Sequence, residues 1–145
     1  MFWQKRKDRP VEVVKRYVDA LNMRDSEAMI ALLHPNPTFI DSRGFCIEGY
    51  DDSVAGVYAF LDLDRGFMMH VDSYTMHDGD VLMRGHTEAD DTRLATDTLW
   101  LARVEDGKLR FWQSFGSSEA PALAHILLPE RSKEAHECTP RQPAA

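Results

Sequence analysis

Tyr17 and Asp41 are the two side chains in this sequence best suited to chemistry. Tyr17 lies in VEVVKRYVDALNMRD, where apolar residues recur at helical spacing. Asp41 closes a short β-type run in PTFIDSRG. A phenol can donate a hydrogen bond to a developing oxyanion, and a carboxylate in an apolar setting can accept a proton. Brought into one pocket, the pair would support proton transfer beside a carbonyl without a metal or cofactor. Each residue also has a structural reading. Asp-Ser-Arg-Gly is good turn chemistry, in which Asp41 binds its neighbours' backbone. A tyrosine on an apolar helical face is commonly a core residue.

The six histidines give no local metal signature: no HxH or HxxxH pair and no Cys/His cluster of ligand spacing occurs, so no metal is expected. His86 shares a strand face with Leu82 and Arg84, which places it toward either the pocket or solvent; in the pocket it is a candidate second acid/base group. His34, before Pro35, suits a helix end. His70 and His77 would face opposite sides of a regular strand. Met68, Met69, Met76 and Met83, with Phe60, Phe67 and Trp100, make the second half soft and aromatic. They read as core, or as the deformable wall of an apolar pocket.

The elements that must position these residues follow from hydrophobic period. Val13, Val14, Tyr17, Val18 and Leu21 form one stripe, predicting a helix over 10–22 with Pro10 in its first turn and residues 1–8 loose. A second helix spans 26–33, with Asp25 as N-cap and Pro35 and Pro37 preventing continuation. A short strand spans 38–41, an extended piece 45–47, and a third helix 52–61, capped by Asp51 or Asp52, with Val54, Val57, Tyr58 and Leu61 on its apolar face. Strands are then expected at 68–76, 81–88, 93–104 and 109–115. Asp78-Gly79 and Asp106-Gly107 are hairpin signals within an antiparallel meander. In 93–104 the charged Arg93, Asp97 and Arg103 turn the even face inward. Leu99 and Leu101 then point outward, as a subunit interface would.

At 145 residues the chain suits one core. A net charge of −7 disfavours nucleic acid and anionic membrane as partners. No run approaches a membrane span. Cys46 and Cys138 are far apart, and Cys138 lies in a polar tail. A reduced, cytoplasmic chain is the simplest expectation, with a disulfide as the lesser alternative.

VVKRYVDALNMRDSEAMIALLHPNPTFIDSRG, the EGYDDSV helix start and the EDGKLRFWQSF ending resemble the NTF2-like superfamily, most of all SnoaL-like proteins and ketosteroid isomerases, over roughly residues 11–117. The resemblance implies an α+β cone, a strongly curved antiparallel sheet packed against three N-terminal helices. It implies Tyr17 as oxyanion donor and Asp41 as general base. The family's protonated aspartate aligns with Trp100, which offers one indole N–H. Asp97, three residues away, faces the other side of a regular strand. The family's proline after the base is Ser42 here. Trp112 and Ser114 are implied to line the pocket. Leu99, Leu101, Phe111 and Phe115 are implied to form a homodimer interface on the outer sheet face.

The resulting expectation is an NTF2-like domain over 9–118 and a C-terminal extension over 119–145, a short helix near 121–128 followed by a disordered tail. The chain is expected to bind a small apolar molecule in a pocket including Trp100, Trp112, Ser114, His86, Phe60 and Met68, with no cofactor. Either it is an isomerase, cyclase or lyase acting through Asp41 and Tyr17, or a non-catalytic ligand-binding or dimerisation module.

Overall fold

The computed structural model describes residues 2–117 and 119–138. The chain opens with helix α1 (Phe2–Asn22), followed by α2 (Ser26–Ala31), strands β1 (Leu33–Ile40) and β2 (Phe45–Glu48), and helix α3 (Tyr50–Leu63). Strands β3 (Met68–His77), β4 (Asp80–Glu88), β5 (Asp97–Glu105) and β6 (Lys108–Phe115) come next. Helix α4 (Leu123–Leu127) and strand β7 (Lys133–Glu134) complete it. Seven strands among the described residues form one sheet in the order β3-β4-β5-β6-β1-β2-β7. Helices and an antiparallel-rich sheet in separate layers make an α+β fold.

The meander β3 to β6 is antiparallel throughout, as its hairpin signals predict. Asp78 and Asp106 adopt positive φ ahead of Gly79 and Gly107, as two-residue hairpin turns require. β1 instead runs parallel to β6. It begins earlier than its pattern suggests and contains Pro35 and Pro37. Prolines cannot donate to a ladder. Pairing is therefore irregular between Leu33, opposite Leu109, and Thr38, opposite Phe111.

Val13, Val14, Val18 and Leu21 of α1 are buried, as the stripe requires. The helix starts at Phe2 rather than Pro10, which puts Pro10 inside it. Asp25 caps α2 by accepting from the Ala28 N–H at 3.1 Å. Gly49, at φ 97°, is the residue before α3. Asp51 and Asp52 sit in its first turn instead, where their charge complements the helix dipole. Tyr58, expected inside, is exposed, and the buried positions of α3 are Gly56 and Val57.

In β5, Thr98, Trp100 and Ala102 are buried on the inner face and Leu99 is 52% exposed on the outer one. Arg103 is buried despite its outward parity, because its Nε donates to Asp80 Oδ1 at 2.9 Å. Residues 92–94 form a 3₁₀ turn, so β5 begins later than expected.

The C-terminal extension is more structured than its composition suggests. β7 pairs antiparallel with β2, placing Lys133 opposite Cys46. The chain then turns back, and Cys138 forms a disulfide with Cys46. This corrects the expectation of free thiols. A partner 92 residues away is brought close by strand pairing that the polar tail does not advertise. The cytoplasmic expectation rested on reduced cysteines and loses that support. Cys138 also packs with Ile40, Cys46 and Phe111, so Phe111 is covered within the chain. The rest of the expected tail, 139–145, lies outside the described residues. No helix among the described residues is long and apolar enough to cross a membrane.

Candidate ligand cavity

Between the helices and the inner sheet face lies a partly open cavity of about 130 Å³. α1 contributes Tyr17 and Leu21, the sheet contributes Phe39, Met69, Trp100, Trp112 and Ser114, and α3 contributes Ser53, Gly56, Val57 and Phe60. Leu123 and Leu127 of α4 close part of the wall. Each set follows from local periodicity. Tyr17 and Leu21 are one helical turn apart. Trp112 and Ser114 alternate along β6, and Trp100 lies opposite Ser114 across the ladder.

Tyr17 and Trp112 meet with ring centroids 5.5 Å apart and planes tilted by 48°. Tyr17 keeps some accessible surface because it borders the cavity, while its hydroxyl lies deep among protein atoms. Burial pushes its pKa well above the ordinary tyrosine value. Desolvation disfavours the phenolate, so the group stays a neutral hydrogen-bond donor and is unsuited to act as a base.

Ser53, in the first turn of α3, also borders the cavity. Its Oγ is buried and has no hydrogen-bond partner among the described residues. Ser53 is absent from the expected site because serine and glycine interrupt the apolar stripe of α3. Ser53, Gly56, Val57 and Phe60 are nonetheless one helix face, at i, i+3, i+4 and i+7. Small residues there leave room, and a built Cβ on Gly56 would lie 3.4 Å from Ile47 Cδ1.

Asp41 is 2% exposed and its carboxylate is fully engaged by backbone. Oδ1 accepts from the Arg43 N–H at 2.8 Å and the Phe45 N–H at 3.0 Å. Oδ2 accepts from the Ala124 N–H of α4 at 2.8 Å. The turn chemistry of Asp-Ser-Arg-Gly is therefore realised, and the same carboxylate anchors the C-terminal helix. Leu123, next to that amide, lines the cavity, whereas Asp41 does not. Ser42, in the place of the family's proline, accepts from the Gly116 N–H at 2.9 Å.

Two further expected pocket residues sit elsewhere. Met68 pairs with Glu88, one register position from inward Met69. Strand alternation puts it on the outer face. His86 pairs with His70 on that same outer face, away from the cavity. The structure thus gathers Tyr17, Trp100, Trp112, Ser114 and Phe60 around one space and leaves out Asp41, His86 and Met68. No carboxylate or imidazole lines the cavity among the described residues.

The sequence profile of the SnoaL-like domain family matches residues 14–112, and the chain belongs to that family. No curated protein matches it in sequence. Among solved structures, a candidate polyketide cyclase from Sinorhizobium meliloti is similar at 16% identity and a TM-score of 0.65, over 71% of this chain and 93% of that one. A candidate SnoaL-like polyketide cyclase from Shewanella denitrificans is similar at 11% identity and a TM-score of 0.66, over 77% and 92%. TerC, co-crystallised with polyporic acid, is similar at 15% identity and a TM-score of 0.66, over 84% and 99%. Identities this low establish the shared NTF2-like fold, which hosts unrelated activities.

Proposed function

We propose that this SnoaL-like chain binds a compact apolar molecule, about one aromatic ring in size, that carries a carbonyl or hydroxyl group. The carrying observation is an apolar cavity bordered by Tyr17 and by Ser53, whose buried Oγ has no hydrogen-bond partner among the described residues. Size sets the ligand class. A cavity of ~150 Å³ walled by Leu, Ile and Phe accommodates benzene, and this one is about 130 Å³. Tyr17 donates to the ligand oxygen, Ser53 donates or accepts, and Trp100 and Trp112 supply ring contacts. TerC, similar in fold, was co-crystallised with polyporic acid, which supports a small-molecule ligand for this chain.

Trp100 and Trp112 make the test optical. Titration with 4-hydroxyacetophenone should give a saturable change in tryptophan fluorescence. Ser53→Ala and Tyr17→Phe should each weaken binding by roughly 5- to 30-fold, the effect of losing ~1–2 kcal/mol of hydrogen bonding. No saturable change with single-ring ketones or phenols would overturn the reading.

The family supports a second reading, a cofactor-independent isomerase, cyclase or lyase. Asp41 would take a proton beside a carbonyl while Tyr17 holds the oxyanion. One observation favours keeping it: Asp41 Oδ2 is occupied by an α4 amide adjacent to a cavity-lining residue. Displacing α4 would free that oxygen beside the cavity. In this reading, α-proton exchange of an aromatic ketone into D₂O is accelerated by the wild type and not by Asp41→Asn. Equal exchange by both excludes Asp41 as the base. Self-association through the outer sheet face belongs to either reading, with Leu99 and Phe115 as its exposed apolar residues.

A further inference from the structure

We infer that His70, His86 and Glu88 form a binding site for one divalent first-row transition-metal ion on the outer face of the β3–β4 hairpin. The site is independent of the cavity. Inner-face residues of these strands, Met69 and Met83, are buried in the core, and the three side chains alternate to the opposite face.

Three observations converge. His70 and His86 are direct cross-strand partners, and their rings stack with centroids 4.7 Å apart and planes 23° apart. Glu88 lies two residues beyond His86 on the same face, its Oε1 3.0 Å from His70 Nε2. One ligand atom from each of the three residues falls within 4.8 Å of the others. His70 Nε2 is also buried from water and has no hydrogen bond among the described residues, while Glu88 Oε1 lies 3.0 Å away as an ion-pair partner.

A surface ion pair is the simpler reading, and it explains less. A His70–Glu88 pair alone would be worth little in water. Two neutral imidazoles with one carboxylate satisfy all three groups around a cation. Nitrogen-rich sets with one carboxylate suit Zn²⁺, Ni²⁺, Co²⁺ or Cu²⁺ better than Ca²⁺ or Mg²⁺. Metal–nitrogen bonds of ~2.0–2.1 Å require the ligand atoms to draw together, which half-exposed side chains can do by rotating.

The backbone fixes the pair. A Cβ on Gly85 would lie 1.8 Å from the His70 carbonyl oxygen, so the strands approach closely beside the site. The register shifts between Val71 and Ser73, immediately after His70. Bulges of this kind re-aim side chains. Local sequence spacing could not reveal the pair, because the hairpin rather than a motif sets the partners.

Glu134, His136 and Glu137 are the competing cluster, three exposed residues on one turn. The test is calorimetric titration of the tag-free chain with ZnCl₂ and NiCl₂. The expected result is one equivalent bound, with affinity reduced ~10-fold or more by His86→Ala and by Glu88→Gln, and unchanged by His136→Ala. No binding, or binding that responds only to His136→Ala, overturns the site. Should the His86 variant fail to fold, the Cu²⁺ EPR spectrum of the unmodified chain decides. Hyperfine coupling to two imidazole nitrogens supports the site, and coupling to fewer overturns it.

Discussion

At the residue scale, the buried carboxylates of Asp41 and Asp64 are held by backbone N–H groups, and that defines their roles. Asp41→Ala would leave the amides of Arg43, Phe45 and Ala124 without their acceptor. The expected loss is about 3 kcal/mol, measured by urea unfolding, because each buried unsatisfied donor costs ~1–3 kcal/mol. A loss below ~0.5 kcal/mol would contradict the anchoring role. Asp64 is the parallel case at 5% exposure. Burial pushes its pKa up, but N–H bonds from Asp91, Asp90 and Gly66 outweigh this, and the net shift is downward. A depressed folded pKa contributes stability above the unfolded value, near ~4, and that contribution fades as pH falls through the folded value. Wild type should therefore lose stability on acidification below about pH 4 more steeply than Asp64→Asn. Parallel pH profiles would contradict this. Tyr17 was legible from the α1 stripe as an inward residue. Ser53 was not, since a lone serine in an apolar helix carries no signal until the cavity is known. For Asp41 the residue types allowed both a base and a turn anchor, and only the position of α4, 83 residues away, separates them.

At the element scale, periodicity located α1, α2, α3 and the meander because each has one core face. It failed where tertiary pairing overrides composition. β1 is strand in spite of two prolines, β7 is strand in a polar tail, and the β3 bulge changes the parity of everything after it. Through that bulge His77 shares a face with His70, since their partners Asp80 and His86 lie an even number of residues apart. Gly85 is the other feature no pattern announces. Its missing side chain is what lets β3 and β4 approach at His70. Gly85→Ala should destabilise the chain by about 3 kcal/mol or more, the upper range of overpacking costs. Thermal unfolding by circular dichroism checks it, and an unchanged midpoint would show that the strands can separate freely there.

At the scale of the whole molecule, one α+β unit encloses an apolar cavity on its inner face and keeps a partly covered outer face. The extension does both jobs: α4 walls the cavity through Leu123 and Leu127, and Cys138 covers Phe111. On the outer sheet face Leu99 and Phe115 remain exposed. If that strip associates, Leu99→Asp should lower the sedimentation coefficient toward the monomer value, and an unchanged coefficient would place any association elsewhere. Filtered NOE spectroscopy on the complex with 4-hydroxyacetophenone locates a ligand in the cavity. Cavity binding gives contacts from the ligand ring to the methyl groups of Met29, Met69 and Leu123, all of which line the cavity. Contacts confined to outer-face methyls such as Leu99, or none at saturating ligand, would contradict it.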